Sequence, residues 1–238
     1  MKLRIDKYLS DMGIGTRNEI KNYIKKKFVT INGNIVKASS EKADTMGDII
    51  CFNGKEIPYV DFEYYILNKP AGVISATEDK NTKTVIELIT DRKRDDLFPV
   101  GRLDKDTEGL LIITNDGELA HNLLSPKKHV DKTYYVETDG LLKPEFVDAF
   151  KEGLEISEDF TTLPSKLEII EADNTGSKAY LTIREGKFHQ VKRMMEAVGN
   201  TVTYLKRLSM GSLNLPSELK VGEYRALTEK EINELKGL

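Results

Sequence analysis

Between Val100 and Gly117 the chain reads VGRLDKDTEGLLIITNDG, two apolar runs around a loop that carries Arg102, Asp104, Lys105, Asp106, Thr107 and Glu108. The run GLLIITN is short, continuous and closed by turn residues, the pattern of a buried strand rather than of a helix. LFPV before the loop reads the same way. A fold that buries both strands must bring the charged loop out at a strand edge, where a carboxylate can point into a cleft instead of bulk water. Any architecture for this chain has to place that loop.

The flanking segments supply the rest of a sheet. EYYILNKPAGVIS reads as a strand entering a Pro-Gly turn, TVIELI as a short helix, and DGELAHNLLS as a helix begun by Asp116. In KTYYVETDG, period-two alternation puts Thr133, Tyr135 and Glu137 on one face and Tyr134, Val136 and Thr138 on the other. KPEFVDAFKEGL is an amphipathic helix. SKLEIIEA and SKAYLTIREG form a hairpin across DNTG. FHQVKRMMEAVGN is a helix ending on Gly199, followed by one long strand, TVTYLKRLSMGSLNL. Many strands with few, short helices predict an α+β domain built on a large, mainly antiparallel sheet.

The first residues are organised differently. Ile5, Tyr8, Leu9 and Met12 fall at helical spacing up to Gly13 and Gly15, and Thr16 with Glu19 forms a capping box for a second helix, RNEIKNYIKKK. Ile20, Tyr23, Ile24 and Phe28 are expected to turn inward, while Arg17, Lys21 and Lys25 face out. FVTI, NIV and GDIICFNGKEI follow as short strands around Asn-Gly and Gly-Asp turns. Pro58 closes this unit, so we expect a small α/β domain at 1–58 and a larger domain at 59–238. Charge divides at the same place. Residues 1–58 hold 11 Lys and Arg against 7 Asp and Glu, whereas the other 180 hold 25 against 32. A basic head on an acidic body is the asymmetry expected when a small module grips a polyanion.

Some classes are excluded directly. No apolar run reaches the roughly 18–20 residues of a membrane span, and MKLRIDKYLSDMG lacks the apolar core of a signal peptide, so a cytoplasmic protein is expected. The single cysteine, Cys51, forms no internal disulfide and is expected to be buried packing. Three histidines without shared helical spacing argue against a metal site.

The head, with R-I-D-K-Y-L, then G-x-x-x-R and V-x-I-N-G, resembles the S4 RNA-binding domain; the resemblance implies that Arg4, Lys7, Arg17 and Lys21 face RNA phosphates. G-R-L-D-x-x-T-x-G-L matches the catalytic motif of pseudouridine synthases. Around it, in order, stand L-N-K-P-A-G, S-P-K-K-H-x-x-K-T-Y, E-G-K-F-H-Q-V-K-R-M and L-x-x-G-E-Y-R-x-L. Over nearly the whole chain these resemble the RsuA branch of that family. The resemblance implies an isomerase that detaches a uracil from N1, turns it and rejoins it through C5. No redox change occurs and no atom is supplied from outside, so neither cofactor nor metal is expected. A base within folded RNA must first be flipped into a pocket.

By resemblance Asp104 is the catalytic carboxylate, acting on C1′, on C6 or on a ribose proton. Tyr134 is the stacking aromatic and Lys192 the cation paired with Asp104. Arg102 is a candidate to enter the vacated RNA stack, the other reading being an ion pair with Asp106 or Glu108. His189 and Gln190 are assigned to the helix start and RNA contact. Lys69 and Pro70 form a rigid turn beside the cleft, Lys128 and Lys132 add phosphate contacts, and Asp106, Thr107 and Gly109 shape the loop. A glycosidase-like pairing of Asp104 with Asp106 is the weaker alternative, since nearby loop positions fix no useful separation.

The implied partner is ribosomal RNA, small-subunit (16S) rRNA at the U516-type site or an assembling small-subunit particle, bound by a monomer with no membrane role. Competing readings are a 23S rRNA enzyme of the same family, a tRNA-directed enzyme, and a non-catalytic assembly factor. If the basic head grips RNA, removing residues 1–58 weakens binding and flattens its dependence on log salt. An unchanged slope in filter-binding titrations would assign the grip to the remaining residues.

Overall fold

The run at 108–114 sits where its composition demands. In the computed structural model, which describes residues 1–237, strand Glu108–Thr114 is buried along all but its first residue. The chain divides into two units, Met1–Glu63 with Thr90–Leu97, and Tyr64–Ile89 with everything from Phe98 onward.

In the first unit, β1 (Lys2–Arg4) leads into α1 (Ile5–Asp11), α2 (Arg17–Lys25), β2 (Val29–Ile31), β3 (Asn34–Ile35), β4 (Lys42–Asp44), β5 (Ile50–Phe52) and β6 (Lys55–Glu56). β1 pairs with β4, and the other strands form a sheet in the order β3-β2-β5-β6. Ile5, Tyr8 and Leu9 on α1 meet Ile20 and Ile24 on α2 over Val29 and Ile50. The expected capping box is present, with Thr16 and Glu19 satisfying each other's backbone N–H. Asn32-Gly33 and Asn53-Gly54 take positive φ at both central residues, as tight hairpin turns require.

The unit extends past Pro58 because of a charged anchor. Asp11, buried, accepts from Lys7 Nζ at 2.9 and 2.8 Å and from the Tyr59 hydroxyl at 2.9 Å. Arg94, also buried, lies 3.6 Å from Asp11, holds Asp96 at 2.6 Å and donates to the Val60 carbonyl. That anchor ties segment 90–97 to the helices of this unit. Two packing expectations change. Phe28 is 38% exposed, at the edge of an aromatic group with Tyr23 and Phe52, and Cys51 is half-buried on β5.

In the second unit, β7 (Tyr64–Lys69), β8 (Phe98–Pro99), β9 (Glu108–Thr114), α3 (Gly117–Leu124), β10 (Lys132–Thr138), α4 (Glu145–Glu152), β11 (Glu155–Ser157), β12 (Phe160–Thr161), β13 (Lys166–Asp173), β14 (Gly176–Ile183), α5 (Gln190–Ala197), β15 (Val202–Met210), β16 (Leu213–Asn214), β17 (Tyr224–Ala226) and α6 (Glu229–Lys236) follow in order. The main sheet runs β13-β14-β10-β15-β9-β7-β17, with β16 on β15 and β8 on β9. Ile66, Leu110, Ile112 and Met210 from the sheet pack with Leu119 and Leu123 of α3 and Leu235 of α6. Tyr134, Val136 and Thr138 point inward on β10, as the alternation predicts. No helix of the described residues is long and apolar enough to cross a membrane.

The structure adds what periodicity did not carry. TVTYLKRLSMGSLNL is not one strand, since the chain turns at Gly211 and β16 folds back on β15. TVIELI yields only a 3₁₀ turn at Ile86–Leu88. After the last motif, Thr228 and Glu231 form a second capping box that starts α6.

The sheet is antiparallel except at its centre, where β15 runs parallel to β9 with Lys206 opposite Glu108 and Arg207 opposite Gly109. Gly109 has φ +100°, and a Cβ there would collide with the Arg207 backbone. Gly109→Ala is therefore expected to cost about 3 kcal/mol or more through backbone strain and forced strand separation, a fall in Tm of roughly 6–12 °C for a chain of this size. An unchanged melting curve by circular dichroism would show that the two strands can spread.

Candidate active site

The loop from Val100 to Thr107 is held in shape by a lysine. Lys69, the last residue of β7, has no exposed surface, and its ammonium donates to the carbonyls of Pro70 at 3.1 Å, Asp104 at 3.0 Å and Thr107 at 2.8 Å. Lys105 O stands slightly further off at 3.4 Å. Burial pushes this ammonium down to about 8, against the pull of Asp106, Asp104 and Glu108. The Ser75 hydroxyl donates to Leu103 O and accepts from Leu103 N–H, while Gly72 N–H donates to Lys105 O. The expected rigid Lys69-Pro70 turn is thus also the floor of the loop.

So supported, Asp104 faces a cavity open to solvent, lined among others by Arg102, Tyr134, His189, Gln190 and Lys192. Tyr134 reaches it from β10, buried to 7% exposure. Lys192 reaches it from the first turn of α5. Its Nζ lies 3.6 Å from Asp104 Oδ2 and 2.7 Å from Asp106. His189 Nε2 is 3.6 Å from Asp104 Oδ1. The cation expected for Asp104 is therefore shared, and its shorter contacts go to Asp106, whose carboxyl Lys192 holds below the usual range. Asp106, expected only to shape the turn, is the main anchor of Lys192.

Other site expectations divide. Arg102 is exposed at the cavity, and among the described residues it makes no ion pair with Asp106 or Glu108. Those acids bind Lys192 and the Tyr204 hydroxyl instead. Gln190, expected on RNA, is buried: its amide donates to Glu185 and accepts from Lys187 N–H, clamping the turn before α5. Lys132 is not a phosphate ligand. It is buried, donates to Val130 O at 2.9 Å, and burial beside Arg207 pushes it down to about 8. Arg193 donates to Ile156 O, fixing α5 against β11. The role of Lys69 was missed, although a lysine closing the apolar run YYILN signals a charge carried inward.

In the first unit the basic residues also differ in availability. Arg4 is held by Asp6 at 2.7 and 3.0 Å and Lys7 by Asp11. Arg17 and Lys21 stand exposed on α2 with no ion pair among the described residues.

The cavity brings Asp104, Tyr134 and Lys192 together from three elements far apart in the chain. Comparison with known proteins gives that set a family. Residues 63–197 match the model of the RNA pseudouridylate synthase family, and residues 3–50 match the S4 domain. An uncharacterised RNA pseudouridine synthase of Bacillus subtilis, YtzG, is 47% identical, covering 97% of both chains. A ribosomal small subunit pseudouridine synthase A of Vibrio parahaemolyticus is 39% identical over 97% of this chain and 98% of its own. A ribosomal large subunit pseudouridine synthase B of B. subtilis is 36% identical over 99% and 96%. A crystal structure of a pseudouridylate synthase superposes with a TM-score of 0.69 at 36% identity, covering 98% of this chain and 99% of that one. With an S4 domain ahead of its large sheet, the chain belongs to the RNA pseudouridine synthases.

Proposed function

We propose that this chain converts one uridine of ribosomal RNA to pseudouridine, in small-subunit rRNA, with Asp104, Tyr134 and Lys192 as the groups that act. The observation that carries the reading is their convergence on one cavity from the loop before β9, from β10 and from α5. The lean towards small-subunit rRNA rests on SPKKHVDKTY and EGKFHQVKRMMEAVGN and on the small-subunit name of the 39% relative. A large-subunit target is the second reading, favoured by the 36% relative that bears that name.

In this reading the flipped uracil lies against Tyr134, with its ribose beside Asp104. The reaction breaks C1′–N1, forms C1′–C5, removes the proton from C5 and leaves one on N1, so atoms and electrons balance within the nucleotide. Asp104 serves as nucleophile or base and must be ionised. Lys192 favours that charge across 3.6 Å, a contact that strengthens once RNA excludes water. Tyr134, walled in by the sheet, offers a fixed face on which the detached base turns. Of the four first-unit residues expected on phosphates, Arg17 and Lys21 are exposed without an ion pair among the described residues and are the ones best placed to meet RNA, whereas Arg4 and Lys7 are held by Asp6 and Asp11.

Asp104→Asn keeps the shape and removes the charge, and turnover on unmodified 16S rRNA is expected to fall on the order of 10³-fold or more. Carbodiimide labelling with primer extension reads the product, and full turnover would end the assignment. A stop found only in 23S rRNA would keep the chemistry and change the target. Lys192→Met is expected to lower kcat about 10²-fold with RNA affinity little changed. An unaffected rate would remove Lys192 from the mechanism.

A further inference from the structure

Phe188 has no part in the chemistry above, yet it is 74% exposed beside the Asp104 cavity. It stands on a turn that is firmly built. Lys187 N–H donates to Gln190 Oε1 at 2.9 Å, Gln190 Nε2 donates to Glu185 Oε1 at 2.9 Å, and Gln190 N–H donates to Lys187 O at 3.1 Å. Glu185 and Gln190 are both buried, so the turn is anchored from below. His189 takes φ +50°, a left-handed conformation that is uncommon for residues other than glycine and is tolerated where surroundings impose it.

The outcome is a stack. The Phe188 and His189 rings lie 3.8 Å apart at 19°, and the same imidazole reaches to 3.6 Å from Asp104. One face of the phenyl is covered by His189, and the high exposure leaves the other open. Lys187, exposed on the same turn, sets its ammonium over the Phe160 ring, 5.1 Å from the centroid. An aromatic ring carried on a firmly built turn, backed on one face and open on the other, is the arrangement with which proteins hold an unstacked base.

We propose that Phe188 is a stacking platform for an RNA base adjacent to the uridine in the Asp104 cavity, and so helps determine which sequence context is accepted. The proposal rests on reading that cavity as the uridine pocket. Flipping a base leaves its neighbours without a stacking partner at a cost of a few kcal/mol. Phe188 replaces that partner, and His189 transmits its position to Asp104.

The chain contains no tryptophan, so Phe188→Trp installs a single indole, excited selectively at wavelengths where tyrosine does not absorb, at the platform of the full-length protein. The probes are unmodified 16S rRNA, a short single-stranded RNA and its abasic counterpart, with binding followed separately by anisotropy. Indole emission is expected to be quenched by the two base-containing RNAs and not by the abasic one. A Tyr180→Trp control on β14 is expected to stay unquenched. Phe188→Ala and Phe188→Leu should lose kcat/KM on the order of tenfold, the effect of one stacked base, while Phe188→Tyr and Phe188→Trp retain it.

Unchanged indole emission at saturating RNA would overturn the proposal, as would equal quenching at both positions or a fully active leucine variant. Phe188→Trp combined with Asp104→Asn separates the two readings. Quenching without turnover supports both, whereas quenching with full turnover keeps the platform and removes Asp104 from the chemistry.

Discussion

The buried ammonium of Lys69 is the contact on which the cavity depends. A charge with no exposed surface is costly unless its hydrogen-bonding capacity is met, and here the loop carbonyls of Pro70, Asp104 and Thr107 meet it. The relation works in both directions. Carbonyls drawn towards one point curl the loop, and a curled loop turns the Asp104 side chain towards the cavity while its backbone faces the strand floor. Asp104, Asp106 and Glu108 also favour the charged ammonium. The acidic loop thus helps to keep in place the cation that shapes it.

The second constraint is the approach of β9 to β15. Parallel strands are joined by a crossover, and here that crossover contains β10, β13, β14 and α5 between Thr114 and Val202. Because β15 also pairs with β10, residues distant in sequence become lateral neighbours: Glu108 beside Lys206, and Lys206 opposite Tyr135. α5, directly preceding β15, is delivered to the end of the sheet from which the Asp104 loop emerges. Gly109 permits the close contact at that junction, so its place in the motif has a backbone cause as well as a chemical setting.

Local signals were legible wherever one physical cause dominated. Thr16 with Glu19 announced a capped helix, Asn-Gly pairs announced hairpins, and alternation on β10 placed Tyr134 inward because one face of a strand must pack. What stayed hidden depended on partners far along the chain. The parallel pairing of β9 with β15 has no local mark. Nor does Arg94, whose link to Asp11 draws Thr90–Leu97 into the first unit. At the site, the motifs point to Asp104, Tyr134 and Lys192, which line one cavity, but carry no sign that Asp106 takes the closer share of Lys192. Lys132 shows the reverse failure, since a lysine in a strand looks like a phosphate ligand until its burial is known.

The sharing of Lys192 explains why lysine suits this position. A guanidinium would form a bidentate fork with one carboxylate and be committed to it, whereas an ammonium is a compact charge that can lean between two acceptors. Asp106 is 71% exposed and Asp104 only 28%, so water screens the first contact more than the second. With the cavity open, the geometry favours Asp106. In the proposed reading, a base filling the cavity would strip water from Asp104 and strengthen its attraction for the same cation. The carboxylate would then gain its counter-charge on the arrival of the nucleotide, without any backbone movement in α5.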